Sequence, residues 1–142
     1  MRFWDSSAVI PLCVDEAPTG SVKRLAEEDN AFVVWWSTPI ECYAALTRRR
    51  REEIFTSADE EHARRLLLLL FEQWTEIEPG REVRETAMRI LRLHPLRAAD
   101  SLQLAAALVW ANGRPRGHEF VCLDQRLRNA AHLEGFQTFP AI

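Results

Sequence analysis

Four acidic residues, Asp5, Glu41, Asp100 and Asp124, stand where an apolar run gives way to a helical pattern or in the first turn of one. Asp5 closes Arg2-Phe3-Trp4 and precedes Ser6-Ser7. Asp124 closes Glu119–Leu123 and precedes Gln125. Glu41 follows Thr38-Pro39-Ile40, and Asp100 sits near the head of LRAADSLQLAAALVW, Leu96 to Trp110. That last stretch is apolar on all sides, so as a helix it belongs in a core. A carboxylate in its first turn is favoured by the unpaired N–H groups and the helix dipole. Burying it still costs several kcal/mol unless something positive meets it. No Lys or Arg follows before Arg114, so the partner must come from elsewhere.

The elements that would position these acids alternate between strand and helix. Arg2–Trp4 reads as a strand, and Ser6 onward through AVIPLCV as a helix in which Pro11 is tolerable near the first turns. Ala17–Asp29 is a second, more polar helix, and AFVVWW (Ala31–Trp36) is a strand covered on both faces. Thr38 fits an N-cap, Pro39 the first helical position and Glu41 the third, and that helix ends in Arg48–Arg51. Ser57 and Glu60 form a like box opening a helix that runs through Leu66–Leu70 to Trp74, with the leucines buried from several sides. Thr75–Glu78 reads as a short strand, and Arg81–Leu93 as an amphipathic helix with Val83, Ala87, Ile90 and Leu91 inward. His94-Pro95 breaks the pattern before the Asp100 helix. Asn112–Gly117 is a loop, Glu119–Leu123 a strand, Gln125–Leu133 a helix closed by Gly135, and Gln137–Phe139 a last strand. Such alternation implies right-handed crossovers and a three-layer α/β/α sandwich with a mainly parallel central sheet. With no linker or repeat, residues 1–142 read as a single domain.

In a parallel sheet, strand C-terminal ends and the following helix N-termini meet along one edge, where ligands bind. All four acids should therefore face that edge. Singly, each has an ordinary explanation: Asp5 and Asp124 as N-caps contributing about 1 kcal/mol each, Glu41 as half of a capping box with Thr38, Asp100 as a dipole acid. Glu60 is the internal control, a box acid without further role. Jointly the ordinary readings fail, because capping says nothing about mutual distance and four carboxylates on one edge repel. A hard divalent cation, Mg²⁺ or Mn²⁺, removes the conflict through oxygen ligands and water. Such a site polarises a phosphoryl oxygen and generates hydroxide from bound water.

Composition narrows the class. A formal charge of −3 argues against a strongly basic nucleic-acid binder, but setting the four acids aside leaves −3 + 4 = +1 for the remaining surface. Lys23 is the single lysine, and arginine forks suit phosphates and carboxylates. Cys13, Cys42 and Cys122 lie in apolar runs with no CxxC spacing, as in reduced thiols of a cytoplasmic protein. The N-terminal residues lack a signal-peptide pattern, and no apolar run is long enough for a membrane span.

The four motif stretches DSSAVIPL, TPIECYAAL, LRAADSLQLAAAL and FVCLDQRL, in this order, resemble the acidic motifs of PIN-domain ribonucleases, and most of all the VapC-type toxins of toxin–antitoxin pairs. The resemblance spans essentially the whole chain. It implies an endoribonuclease dependent on Mg²⁺ or Mn²⁺, usually a homodimer, held inactive by a cognate antitoxin protein. By resemblance Asp5, Glu41, Asp100 and Asp124 fall on the catalytic and metal-binding positions, and Ser7 on a small polar position that supports the site. Gln103 departs from the family by standing where relatives often carry His, and Cys122 by preceding the last acid where Thr or Ser is frequent. The expected arrangement has Asp5 and Asp100 holding the metal, Glu41 and Asp124 completing the site directly or through water, and no side-chain nucleophile.

Arg97, three residues before Asp100, is placed to bind substrate by steering a phosphate. Arg48 shares the Glu41 face two turns on, where a phosphate or antitoxin contact competes with a solvated helix end. Trp4, Trp35 and Trp36 read as core before base-stacking platforms, and Trp36, at the strand end, is the one placed for either. His62, His94, His118 and His132 show no ligand spacing and read as surface. Leu66–Leu70 with Trp74 read as core before a dimer or antitoxin contact. Two other classes fit less well: a catalytically silent binding module of the same fold, which loss of an acid would favour, and a phospho-receiver, which needs a lysine near the last strand.

Overall fold

A computed structural model describes residues 1–141. Five strands form one all-parallel sheet: β1 (Arg2–Trp4), β2 (Phe32–Trp35), β3 (Thr75–Ile77), β4 (Glu119–Val121) and β5 (Gln137–Phe139), in the order β3-β2-β1-β4-β5. Among the described residues seven helices connect them: α1 (Ser6–Cys13), α2 (Thr19–Glu28), α3 (Thr38–Arg51), α4 (Ser57–Phe71), α5 (Arg81–Leu93), α6 (Ala98–Trp110) and α7 (Gln125–Glu134). The sequence places each strand and helix within a few residues of its observed bounds.

Alternation along the short strands sends side chains to two cores. Phe3, Val33, Trp35, Phe120 and Cys122 pack on the face covered by α5, α6 and α7. Trp4, Val34 and Val121 point the other way, into a core closed by α1 through α4. Every buried strand residue therefore meets helix on its own side, which is why the strands read as unbroken apolar runs. The result is the three-layer α/β/α sandwich with a parallel sheet.

The strand order decides one alternative. Receiver-type folds run 2-1-3-4-5, whereas this sheet runs 3-2-1-4-5. Its direction reverses beside β1, between β1 and β4. A crevice opens at such a switch point because consecutive crossovers leave to opposite faces. The residues that follow β1 and β4 are Asp5 and Asp124.

Several local expectations need correction. Among Leu66–Leu70 only Leu67 is fully buried, while Leu68 and Leu69 are 50% and 56% exposed. Five consecutive residues sweep the whole circumference of a helix, and α4 buries a single stripe. Leu91 of α5 is likewise exposed, beside inward Val83, Ala87 and Ile90. Pro11 lies inside α1 and not in its first turn. The box at α4 is formed by Thr56 and Asp59, one residue earlier than Ser57 and Glu60. Thr56 has the extended backbone an N-cap requires, and Ser57 is already helical.

Candidate active site

Asp5 is positioned by the sheet itself. Its backbone N–H donates to the Val121 carbonyl at 3.0 Å, fastening the end of β1 to the end of β4. Extended backbone at Asp5 then turns into α1, and its carboxylate caps that helix by accepting from the Ser7 N–H at 3.1 Å. The Ser7 hydroxyl donates to the same oxygen at 2.5 Å and accepts from the Leu123 N–H at 2.9 Å. The Cys122 thiol approaches that oxygen at 3.6 Å. Ser7 thus ties Asp5 to the chain leaving β4. Asp5 is 3% exposed, and burial pushes its carboxyl up to about 6 despite the Ser7 bonds, with the Asp100 charge adding to the rise.

Glu41 does not form the expected box. The N-cap is Ser37, one residue before Thr38, and its side chain makes no capping bond. The Glu41 carboxylate instead accepts from Ser6 Oγ at 3.2 Å, Ser37 Oγ at 3.1 Å and Gln103 Nε2 at 2.9 Å. Burial raises it to about 7, the Asp5 charge adds to this, and the three donors oppose it. A carboxylate that needs three side-chain donors from α1, α6 and the α3 entrance is not a helix cap.

Asp100 occupies the third residue of α6, half-buried, with Arg97 at the N-cap. Among the described residues it takes no capping bond. Burial and the neighbouring Asp124 charge raise its carboxyl, and the Arg97 guanidinium partly offsets them. Asp124 is exposed and does cap α7, accepting from the Leu127 N–H at 2.9 Å. Arg97, Asp100, Asp124 and Arg126 line a cavity of about 210 Å³. The larger cavity, about 520 Å³ between α1, α2 and α4, holds none of the four acids.

The fold brings all four acids to one edge, and their fields couple in a chain: Glu41 with Asp5, Asp5 with Asp100, Asp100 with Asp124. Among the described residues no three His, Cys, Asp or Glu side chains converge as a ready-made cage for an ion. Carboxylate oxygens are the donors a hard cation takes. The all-oxygen donor set fits Mg²⁺ or Mn²⁺.

Sequence reasoning missed Ser6, Ser37 and Arg126. The first two are ordinary helix-start serines, and nothing local marks them as donors to Glu41. Arg126 follows Asp124 by two residues, so the first turn of α7 was the available signal. Trp4 and Trp35 are core, and Trp36 is 46% exposed at the same sheet edge. Arg49 pairs with Glu16 and Arg50 approaches Glu60, while Arg48 and Arg51 are exposed. His62 and His132 are exposed as expected, but His94 is held against Glu134 at 2.7 Å with its side chain 7% exposed. His118 packs edge-on against Trp110.

No family model matches the sequence, and no curated protein matches it either. Solved structures do. VapC20 of Mycobacterium tuberculosis, described as a sarcin-ricin loop cleaving toxin, matches 92% of this chain and 95% of its own, at 17% identity and a TM-score of 0.66. FitAcB of Neisseria gonorrhoeae matches over 99% and 97%, at 12% identity and a TM-score of 0.67. A toxin-antitoxin complex from Klebsiella pneumoniae matches over 89% and 88%, at 14% identity and a TM-score of 0.61. The chain has the PIN-domain fold. Within the PIN-domain fold, its acids lie at the ends of β1 and β4 and in the first turns of α3 and α6. Among the described residues, no helix of the fold is long and apolar enough to cross a membrane.

Proposed function

We propose that this chain is an endoribonuclease dependent on Mg²⁺ or Mn²⁺ and the toxin of a toxin–antitoxin pair. One observation carries the reading: four carboxylates from four separate elements share the sheet's switch-point edge, two of them held protonatable near neutrality by burial and mutual repulsion. An arrangement that unfavourable in the empty protein is explained by a cation that relieves it. The likeness to a toxin described as cleaving the sarcin-ricin loop, and to a toxin-antitoxin complex, supports RNA as substrate and an antitoxin as partner. Homodimerisation and a cytoplasmic setting are part of the same proposal.

Asp5 and Asp100 would hold the cation, with Glu41 and Asp124 completing its surroundings directly or through water. When bound, the cation supplies a Lewis acid for the phosphoryl oxygen and lowers the pKa of a water. The chain's own residues do the rest. Ser7 and Cys122 fix the Asp5 carboxylate, and Ser6, Ser37 and Gln103 fix that of Glu41. Arg97 and Arg126 flank the Asp100–Asp124 cavity and offer guanidinium groups to the RNA backbone.

The test is incubation of purified protein with RNA in Mg²⁺, in chelator, and with Asp100→Asn. Cleavage in Mg²⁺ alone is expected. Cleavage that survives chelation or the substitution defeats the proposal, and RNA that is bound but never cut favours a silent binding module.

A further inference from the structure

Gln103 is completely buried, three residues after Asp100 and therefore on the same side of α6. Its Nε2 donates to Glu41 Oε2 at 2.9 Å and to Thr38 Oγ1 at 3.1 Å. Its Oε1 is buried with no hydrogen-bond partner. The donor end faces Glu41, because an ionised carboxylate only accepts, whereas the Thr38 hydroxyl can serve either end of the amide. A residue selected for packing would be leucine, of similar size and with no orphaned oxygen. Burial therefore does not account for the amide.

Its place in the fold does. Glu41 belongs to the layer of α1 through α4, and two of its donors, Ser6 and Ser37, belong to that layer as well. Asp100 belongs to the opposite layer, on α6. The Gln103–Glu41 bond spans 62 residues of sequence and joins the two layers at the edge where the acids meet.

We infer that Gln103 is a positioning residue, which ties the Glu41 carboxylate to the helix that carries Asp100, so that a divalent cation held by Asp5 and Asp100 meets a third carboxylate already in place. This rests on the cation-dependent reading of the site. Gln103 does not touch the cation or the RNA; it acts through Glu41.

The experiment is Mn²⁺ titration of the RNA-free protein by calorimetry, with wild type, Gln103→Leu, Glu41→Gln and the double variant, alongside thermal melts and RNA cleavage kinetics. Gln103→Leu should weaken Mn²⁺ binding on the order of tenfold, the usual effect of losing a hydrogen bond behind a metal ligand. In the double variant the loss should match that of Glu41→Gln alone, because both changes remove one function. Gln103→His, which keeps an N–H donor, should recover most of the affinity, and Gln103→Met, which has no N–H donor, takes the place of Gln103→Leu if that variant does not fold. The kcat for RNA should fall with KM unchanged. Mn²⁺ affinity unaltered in Gln103→Leu, or a loss that adds fully to that of Glu41→Gln, overturns the positioning role while leaving the site reading intact. Wild-type protein that binds no Mn²⁺ overturns both.

Discussion

The N-termini of α3 and α4 carry nearly the same local signal and use it in opposite ways. At α4, Thr56 Oγ1 accepts from the Asp59 N–H at 3.2 Å and the Asp59 carboxylate accepts from the Thr56 N–H at 2.9 Å. Those bonds draw the exposed Asp59 carboxyl below its usual range. At α3 the acid lies one position further on, its carboxylate turned away from the backbone toward Ser6, Ser37 and Gln103, and burial pushes it up to about 7. One acid is satisfied by its own helix and stabilises it. The other is satisfied by the side chains of Ser6, Gln103 and its own N-cap Ser37, and burial leaves it poorly solvated. Local pattern alone does not separate the two; desolvation does.

The comparison breaks most visibly at the acids that do not cap. Asp100→Asn should reduce RNA cleavage on the order of 10²–10³-fold while leaving the melting temperature unchanged or higher, since it removes a repelled charge without removing a capping bond. A parallel loss of stability and activity in melting and cleavage assays would return Asp100 to a structural role.

A second outcome concerns pH. Glu41 binds its proton more tightly in the folded chain than at its ordinary value of 4.5. Its contribution to stability is therefore complete below about pH 4.5 and is lost as pH rises through about 7. Without divalent cation, Glu41→Gln should melt several degrees above wild type at pH 8, with the gap closing below pH 5 (roughly, by the same linkage). Mg²⁺ at pH 8 should raise the wild-type melting temperature and leave that of the variant nearly unmoved. Asp59 shifts the other way, so Asp59→Asn should show no gain at high pH.

The caps themselves offer the next contrast. Thr56→Ala should cost about 1 kcal/mol of stability with cleavage unaltered. Ser37→Ala removes no capping bond, so denaturant melts should change less, while cleavage falls about two- to tenfold through the lost bond to Glu41. The smallest effect is expected at the cavity rim. Arg97→Ala should raise KM a few-fold, leave kcat unchanged and reduce the salt dependence of RNA binding by about one unit of slope.

Much of this architecture was legible in the chain. The unbroken apolar run AFVVWW, the turn residues between patterns, and an acid at each boundary led to a parallel sandwich with its acids at one edge. Those signals are local, and the parallel topology follows from their alternation. What escaped was anything set by which face of a helix meets a neighbour. Leu68 and Leu69 are as apolar as Leu67, yet only the last faces the core. His94 gains its partner Glu134 from a helix 40 residues away. Ser57 and Thr56 are both good caps, and the backbone angle of one residue chose between them.

The sequence by itself determined the four acids, their order and the single edge they would share, because strand ends and helix starts are written in residue periodicity. The tertiary structure alone decided which acids cap and which do not, since that depends on donors brought from other elements. Asp5 and Asp124 do both, capping and facing the crevice. Glu41 is withdrawn from its helix by Gln103, reaching across from the opposite layer, and Asp100 is left with charge but no capping bond. Burial and long-range hydrogen bonding set proton and cation affinity, and neither is a property of any stretch of sequence taken alone.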